Sequence, residues 1–504
     1  MAEKHNPKYG GKKKSNGSGA IVAGLILVMA VLVLLSLGLR LLLSSSREPA
    51  APESVTAPEA IPEATPSQEP TVEAAIQATE PEKGPSFWQR LFGGKETEPP
   101  ATEPPEPEHV VSTAEIAVTG DILMHMPVIN TGLQGDGSYN FDSIFRYLTP
   151  YVSSADLAVA NLETTLAGSD KGYKYSGHPA FNCPDEIVDA LKKAGFDLLL
   201  TANNHCYDTS EYGFLRTVRT VREKGLQVLG TREQVSEPKY TVQEVGGIKI
   251  GMVNYTYQGL PENPVAGKVY MNKNTLSDTC ALLVNSFIEA QPDSFYLEAR
   301  QCLEEMKAAG AEATVMFIHW GVEYQTTPST SQKQIAQQLC DLGYDLVLGG
   351  HPHVIQPVEL LTSRLDPEHK TVCLYSSGNA VSNQRISEMN LKTGHTEDAL
   401  LFRFTFSKYS DGTVYLENVE TLPCWVDLRT EPQREYPIIP LDDSQLADWQ
   451  SLYGLTAEAL ENAKKSYDRT TTLTGPGTTQ VQDYLAAQKQ QREADYLAAV
   501  TQAA

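Results

Sequence analysis

The sequence predicts a layered α/β domain over residues 113–430, and three observations lead there. Short apolar runs that fit buried strands alternate with segments of helical period. Strand-like stretches then follow one another towards residue 430. Three of the apolar runs end in histidine, and the C-terminal ends of strands are where α/β folds bind ligands.

The N-terminal elements are of another kind. Residues 1–19 form a basic tail with Lys4, Lys8, Lys12, Lys13 and Lys14. Residues 20–43 are almost wholly apolar, and about 20 such residues cross a hydrocarbon core. The lysines should stay in the cytoplasm, which puts the rest of the chain outside the cell. A cleaved signal peptide would carry a shorter apolar region and small residues at its end. Arg40-Leu41-Leu42-Leu43 follows instead, so the segment reads as an uncleaved single-pass anchor in the cell membrane. Residues 44–112 are rich in Pro, Glu, Ala and Thr and read as a disordered linker. Within them, Phe87-Trp88-Gln89-Arg90-Leu91-Phe92 is either a sticky fluctuation of the linker or a short interfacial helix.

The domain opens with a strand, Ile116 to Val118, ending at Asp121. A helix over Phe141–Tyr151 is expected next. A strand over Ala155–Ala160 follows and ends in Asn161-Leu162-Glu163. Helices fit Asp185–Ala194 and Glu211–Lys224, on either side of the strand Phe196–Leu200. That strand runs into Asn203-Asn204-His205-Cys206-Tyr207-Asp208. Gly246-Gly247 signals a hairpin between Tyr240–Val245 and Lys249–Tyr255. Ala313–Ile318 ends in His319-Trp320-Gly321-Val322-Glu323-Tyr324, and Tyr344–Leu348 ends in Gly349-Gly350-His351-Pro352-His353. Helices fit Ser294–Ala309 and Ser331–Leu342, and strands fit Val372–Tyr375, Ala399–Phe406 and Val414–Leu422. Residues 431–504 read as a helical C-terminal extension, with a helix over Leu446–Tyr467 and a Thr/Gly-rich linker over Thr470–Gln480.

Charge and cysteine usage narrow the function. A formal net charge of −23 argues against a nucleic-acid partner, whose phosphates demand a basic surface. The seven cysteines contain no Cys-x-x-Cys, so a zinc knuckle is unsupported and few or no disulfides are expected. Cys340 and Cys373 fit apolar patterns and read as buried.

The strand exits gather Asp121, Asn161, Glu163, Asn204, His205, His319, His351 and His353. Carboxylate, amide and imidazole together suit Mn²⁺, Fe or Zn²⁺ better than Ca²⁺ or Mg²⁺. Two such ions about 4 Å apart could activate a water and clamp a phosphoryl group. The expected metal ligands are Asp121, Asn161, Glu163, Asn204, His319, His351 and His353, for one or two ions. His205 is assigned to proton transfer. Asp208 either orients His205 or caps the following helix. Asn203, Trp320, Glu323 and Tyr324 are expected to face substrate.

These motifs, with Thr119-Gly120-Asp121 and Ser376-Ser377-Gly378-Asn379, resemble the CapA family of bacterial poly-gamma-glutamate capsule proteins over about 113–425. The resemblance implies a calcineurin-like metallophosphatase fold, a four-layer α/β/β/α sandwich of two mixed sheets. It implies a part in synthesis, export or attachment of an anionic surface polymer, with other polymer-synthesis proteins as partners. Two alternatives stand beside it: an extracellular metal-dependent phosphoesterase, and a non-catalytic polymer-binding module. The chain departs from active metallophosphatases at Leu123, where they carry histidine; the nearest imidazole is His125. Asn161-Leu162-Glu163 stands where their bridging aspartate motif lies.

Overall fold

A computed structural model of the chain describes residues 109–389 and 391–503. The expected tail at 1–19, the anchor at 20–43, the Phe87–Phe92 stretch and nearly all of the linker lie outside the described residues. No helix among the described residues is long and apolar enough to cross a membrane.

The described part opens with four parallel strands: β1 (Val110–Ile122), β2 (Leu157–Leu162), β3 (Leu198–Leu200) and β4 (Gln227–Leu229). It then builds a second sheet from β5 (Tyr240–Val245), β6 (Ile248–Tyr257), β9 (Ser286–Phe287), β10 (Ala313–His319), β11 (Leu346–Gly350), β12 (Val358–Thr362) and β13 (Lys370–Leu374). The short strands β7 (Tyr270–Met271) and β8 (Asn274–Thr275) pair only with each other. The chain returns to the first sheet with β14 (Asn379–Val381), β15 (Asp398–Tyr409), β16 (Val414–Val426) and β17 (Ile438–Pro440). Both sheets are mixed. In the second, β6, β10, β11 and β13 run parallel, with antiparallel β5 and β12 at its edges.

Three apolar layers hold the stack together. Ile116, Val118, Val159 and Leu200 of the first sheet meet Ile250, Met252, Phe317 and Leu348 of the second. The opposite face of the first sheet packs under α1 (Glu186–Ala194) and α2 (Ser210–Glu223) through Ile187, Leu191 and Val221. The outer face of the second packs under α3 (Asp293–Ala308) and α4 (Thr330–Leu342) through Leu303, Met306, Ile335 and Leu339. The order is α/β/β/α. Each fully buried side chain of this size contributes about 1.5–3 kcal/mol.

Local signals explain the element ends. Gly246 and Gly247 have φ of 55° and 85°, as a two-residue turn of type I′ between β5 and β6 requires. Ser329 and Gln332 form a reciprocal capping box at the start of α4, which Gly343 ends.

Several expected elements differ. The helix over Phe141–Tyr151 is two four-residue helices, Asp142–Phe145 and Thr149–Val152. Pro150 has no N–H to continue the first one. β1 begins at Val110, inside the expected linker, and β17 lies beyond the expected domain end at 430. The Leu446–Tyr467 helix is interrupted: Trp449–Tyr453 stops at Gly454, which takes φ of 64°. The expected linker over Thr470–Gln480 is not a linker. It lies inside α5 (Ala457–Ala503), a 47-residue helix that includes Pro476. Ala463, Ser466, Thr470, Thr474, Thr478 and Val481 are buried along one stripe of α5, which packs against β16 of one sheet and β12 of the other. The hydroxyls of Thr474 and Thr478 donate to the carbonyls of Thr470 and Thr474 at 2.9 Å, so burial leaves both satisfied. Tertiary packing overrides the low helix propensity of Thr, Gly and Pro here.

Candidate metal centre

Strand register brings the chemistry together. Asp121 pairs with Asn161 on β2 and with Asn379 on β14. His319 pairs with Gly350 at the end of β11 and with Thr256 near the end of β6. The β1–β2 register shifts between Val118 and Asp121, a bulge that re-aims Asp121. Gly120 sits at that bulge, and a β-carbon there would lie 1.9 Å from the Gly378 carbonyl oxygen. Only glycine allows the close approach.

The acids and rings form one buried cluster. Asp121, Glu163, His319, His351 and His353 are each at most 3% exposed. Three sets of ligand atoms lie mutually within 4.8 Å: Glu163 with His319 and His351, Asp121 with Glu163 and His353, and Glu323 with His351 and His353. The sets share Glu163, His351 and His353, so they interlock. Glu323 was expected to face substrate; here it is exposed and also within reach of this ligand set. His319 Nε2 lies 2.8 Å from Asn204 Oδ1 and 3.5 Å from Glu163 Oε1. His353 Nδ1 lies 3.0 Å from Asn379 Oδ1 and 3.3 Å from Asp121 Oδ2. His351 and His353 take φ of 96° and 57°, on either side of Pro352. Side chains rarely adopt that region, and such strain gathers at functional sites.

Both carboxylate oxygens of Glu163 and Nδ1 of His351 are buried without a hydrogen-bond partner. An unpartnered buried carboxylate is costly unless a cation meets it. The electrostatics agree. Burial would lower the basicity of His353, but Glu163 and Asp121 outweigh it and push the ring to about 9. Burial would raise Asp121, but His353 and His319 hold it below the ordinary value. Burial, then the His319 and His353 rings, drives His351 far down and leaves the ring neutral. Nitrogen and oxygen donors of this kind fit a divalent transition ion, and the residues present fit one or two.

Beside the cluster, His205 Nδ1 lies 2.7 Å from Asp208 Oδ2. Burial disfavours a charged His205 ring, but Asp208 outweighs it and raises its pKa. Asp208 also accepts the Phe181 N–H at 2.7 Å. It does not cap α2, whose N-cap position is Thr209. The first of the two expectations for Asp208, orienting His205, is the one its contacts match.

Other expected site residues have different surroundings. Asn161 donates to Asp121 Oδ1 at 2.8 Å and accepts from Asn203 Nδ2 at 3.1 Å. It braces the aspartate and presents no unpaired oxygen. Asn203, fully buried, also donates to the Leu162 carbonyl and accepts the His205 N–H, so it shapes the loop and has no exposed surface. Trp320 is fully buried under the second sheet, where its Nε1 donates to the Tyr375 carbonyl at 2.9 Å. Successive strand residues face opposite ways, so His319 at the site puts Trp320 in the core. Tyr324 has φ of 62°, and its ring centroid lies 6.1 Å from that of His353. Two contributors were not assigned to the site from the sequence. Asn379 holds His353, and Tyr257 lies with its ring 4.6 Å from His351. The Ser-x-Gly-Asn motif flagged the first; Tyr257 looked like an ordinary strand residue.

The chain matches the family described as "Bacterial capsule synthesis protein PGA_cap" over residues 115–384. The chain belongs to this family. The PGA_cap match runs from within β1 to Gln384 and takes in every residue of the cluster, while α5 lies outside it. Capsule biosynthesis protein CapA of Bacillus anthracis is 27% identical over 345 residues, 66% of this chain and 74% of that protein. PGA biosynthesis protein CapA of Bacillus subtilis (strain 168) is 28% identical over 296 residues, 58% of this chain and 68% of that one. Among solved structures, a candidate 5'-nucleotidase from Staphylococcus aureus, in complex with alpha-ketoglutarate, aligns with a TM-score of 0.37 at 14% identity. That alignment covers 70% of this chain and 58% of the other. A purple acid phosphatase from yellow lupin seeds aligns with a TM-score of 0.26 at 11% identity, over 62% of this chain and 53% of the other.

Proposed function

We propose that this PGA_cap protein acts in the synthesis, export or attachment of poly-gamma-glutamate through a metal-dependent hydrolytic centre. We further propose that residues 20–43 anchor it in the membrane with the folded part outside the cell. The observation that carries the reading is Glu163, whose buried, unpartnered carboxylate lies among His319, His353 and Asp121. Asp121, Glu163, His319, His351 and His353 would hold the metal, with Asn204 and Glu323 at its side. When bound, a divalent ion supplies Lewis acidity towards an oxygen of the substrate. The protein's own groups do the rest. Asp208 fixes the His205 ring by accepting its Nδ1–H and favours the charged ring, whose Nε2–H is then the proton that a leaving group takes up. Asn161 and Asn203 hold Asp121 and the His205 loop in place.

The test is made in the producing cell. A strain whose chromosomal copy carries His205→Ala should lose surface poly-gamma-glutamate at an unchanged level of the protein. Unchanged polymer would contradict the reading; turnover of generic phosphodiesters by the purified protein would then favour the phosphoesterase alternative. Orientation is checked by protease treatment of intact cells: residues 113–440 should be cut, and protection beside a cleaved surface protein would reverse it.

A further inference from the structure

We propose that Tyr257 is a substrate-binding residue and that it acts with Tyr324 across the cluster. Their phenol O–H groups, and not lysine or arginine, then donate hydrogen bonds to the anionic group handled there, which rests on the hydrolytic reading above.

Tyr257 closes β6, one residue past Thr256, the register partner of His319. Its ring centroid is 4.6 Å from His351 and 6.5 Å from His319, nearly parallel to the latter at 11°. No hydrogen bond to its hydroxyl is made among the described residues, and the residue is half-buried. A phenol is a donor at neutral pH. Among the described residues its hydrogen is not donated to any partner.

Tyr324 stands on the His353 side. Its N–H donates to the Pro352 carbonyl at 2.8 Å, and its ring centroid lies 6.1 Å from that of His353. Gln384 orients its hydroxyl. Asn379 Nδ2 donates to Gln384 Oε1 at 2.9 Å, so the Gln384 amide nitrogen faces Tyr324 and donates to its oxygen at 3.3 Å. The Tyr324 hydroxyl is an acceptor in that bond and keeps its own hydrogen for another partner.

Charge decides between phenols and cations. Among the described residues, no lysine or arginine appears in the hydrogen bonds, ion pairs or ring contacts of Asp121, Glu163, His205, His319, His351, His353, Tyr257 or Tyr324. Glu323 is exposed at the rim instead. An anion entering beside that carboxylate needs donors. Neutral phenols supply them without forming ion pairs with the carboxylates already present.

The test is calorimetric titration of the full-length protein, loaded with Mn²⁺, with inorganic phosphate. Tyr257→Phe keeps the ring and removes the donor. It should bind phosphate roughly ten-fold or more weakly, as expected for one lost hydrogen bond to a charged group, with metal content and Tm at parent values. Tyr324→Phe should behave alike. Equal phosphate affinity in parent and Tyr257→Phe overturns this inference alone. Loss of metal in Tyr257→Phe also overturns it, since the phenol is then a ligand. A parent that holds metal and binds no phosphate also overturns this inference, while the hydrolytic reading stands or falls with the polymer test above.

Discussion

Glu163 is the residue on which most depends. It is fully buried, its oxygens lack hydrogen-bond partners, and its nearest rings belong to other candidate ligands. Glu163→Gln keeps the shape and removes the charge. Its expected effect is split: metal content falls, while the metal-free protein melts close to the parent, because Asp121 still faces the charged His353 ring. Metal analysis and calorimetry of the stripped protein check this; a stripped variant melting well below the parent would mean that Glu163 serves the fold. At this scale the clustered residues were legible, since Asp121, Glu163, His319, His351 and His353 each follow an apolar run. It did not reveal orientation. Trp320 and Asn203 neighbour site residues in the chain but turn into the core and the loop. Tyr257 has the composition of any strand end, and only the pairing of β6 with β10 places it against the histidines.

At the scale of elements, α5 is the largest departure from expectation. Its threonine stripe reads as a linker because isolated Thr, Gly and Pro disfavour helix. The helix exists because that stripe is narrow enough to lie on β16 and β12. Gly477 shows how closely: a β-carbon there would stand 1.9 Å from the Val358 carbonyl oxygen. Gly477→Val should therefore destabilise by about 1–3 kcal/mol, read as a lowered Tm, whereas Ala487→Val on the exposed part should be near neutral. Equal melting of the two variants would show that α5 does not pack as described. Most other elements were legible because apolar period and turn residues agree locally, as at Gly246-Gly247 and at Ser329 with Gln332. The long-range contacts of a C-terminal helix leave no such local mark.

For the whole molecule, the cluster lies where the two sheets meet. Asp121 and Glu163 come from the first sheet, His319 from the second, and His351 and His353 from the loop after β11. An ion held there links both sheets, and what binds the folded state stabilises it. The most direct measurement is metal content together with Tm, with and without added Mn²⁺, for the parent, His353→Ala and His205→Ala. The parent should hold metal and melt higher with it. His353→Ala should lose both the metal and the metal-dependent rise, and His205→Ala should keep both. If the two variants keep metal and melt like the parent, the histidines are core residues and there is no metal centre. If both lose metal equally, His205 is a ligand and the proton-transfer role falls.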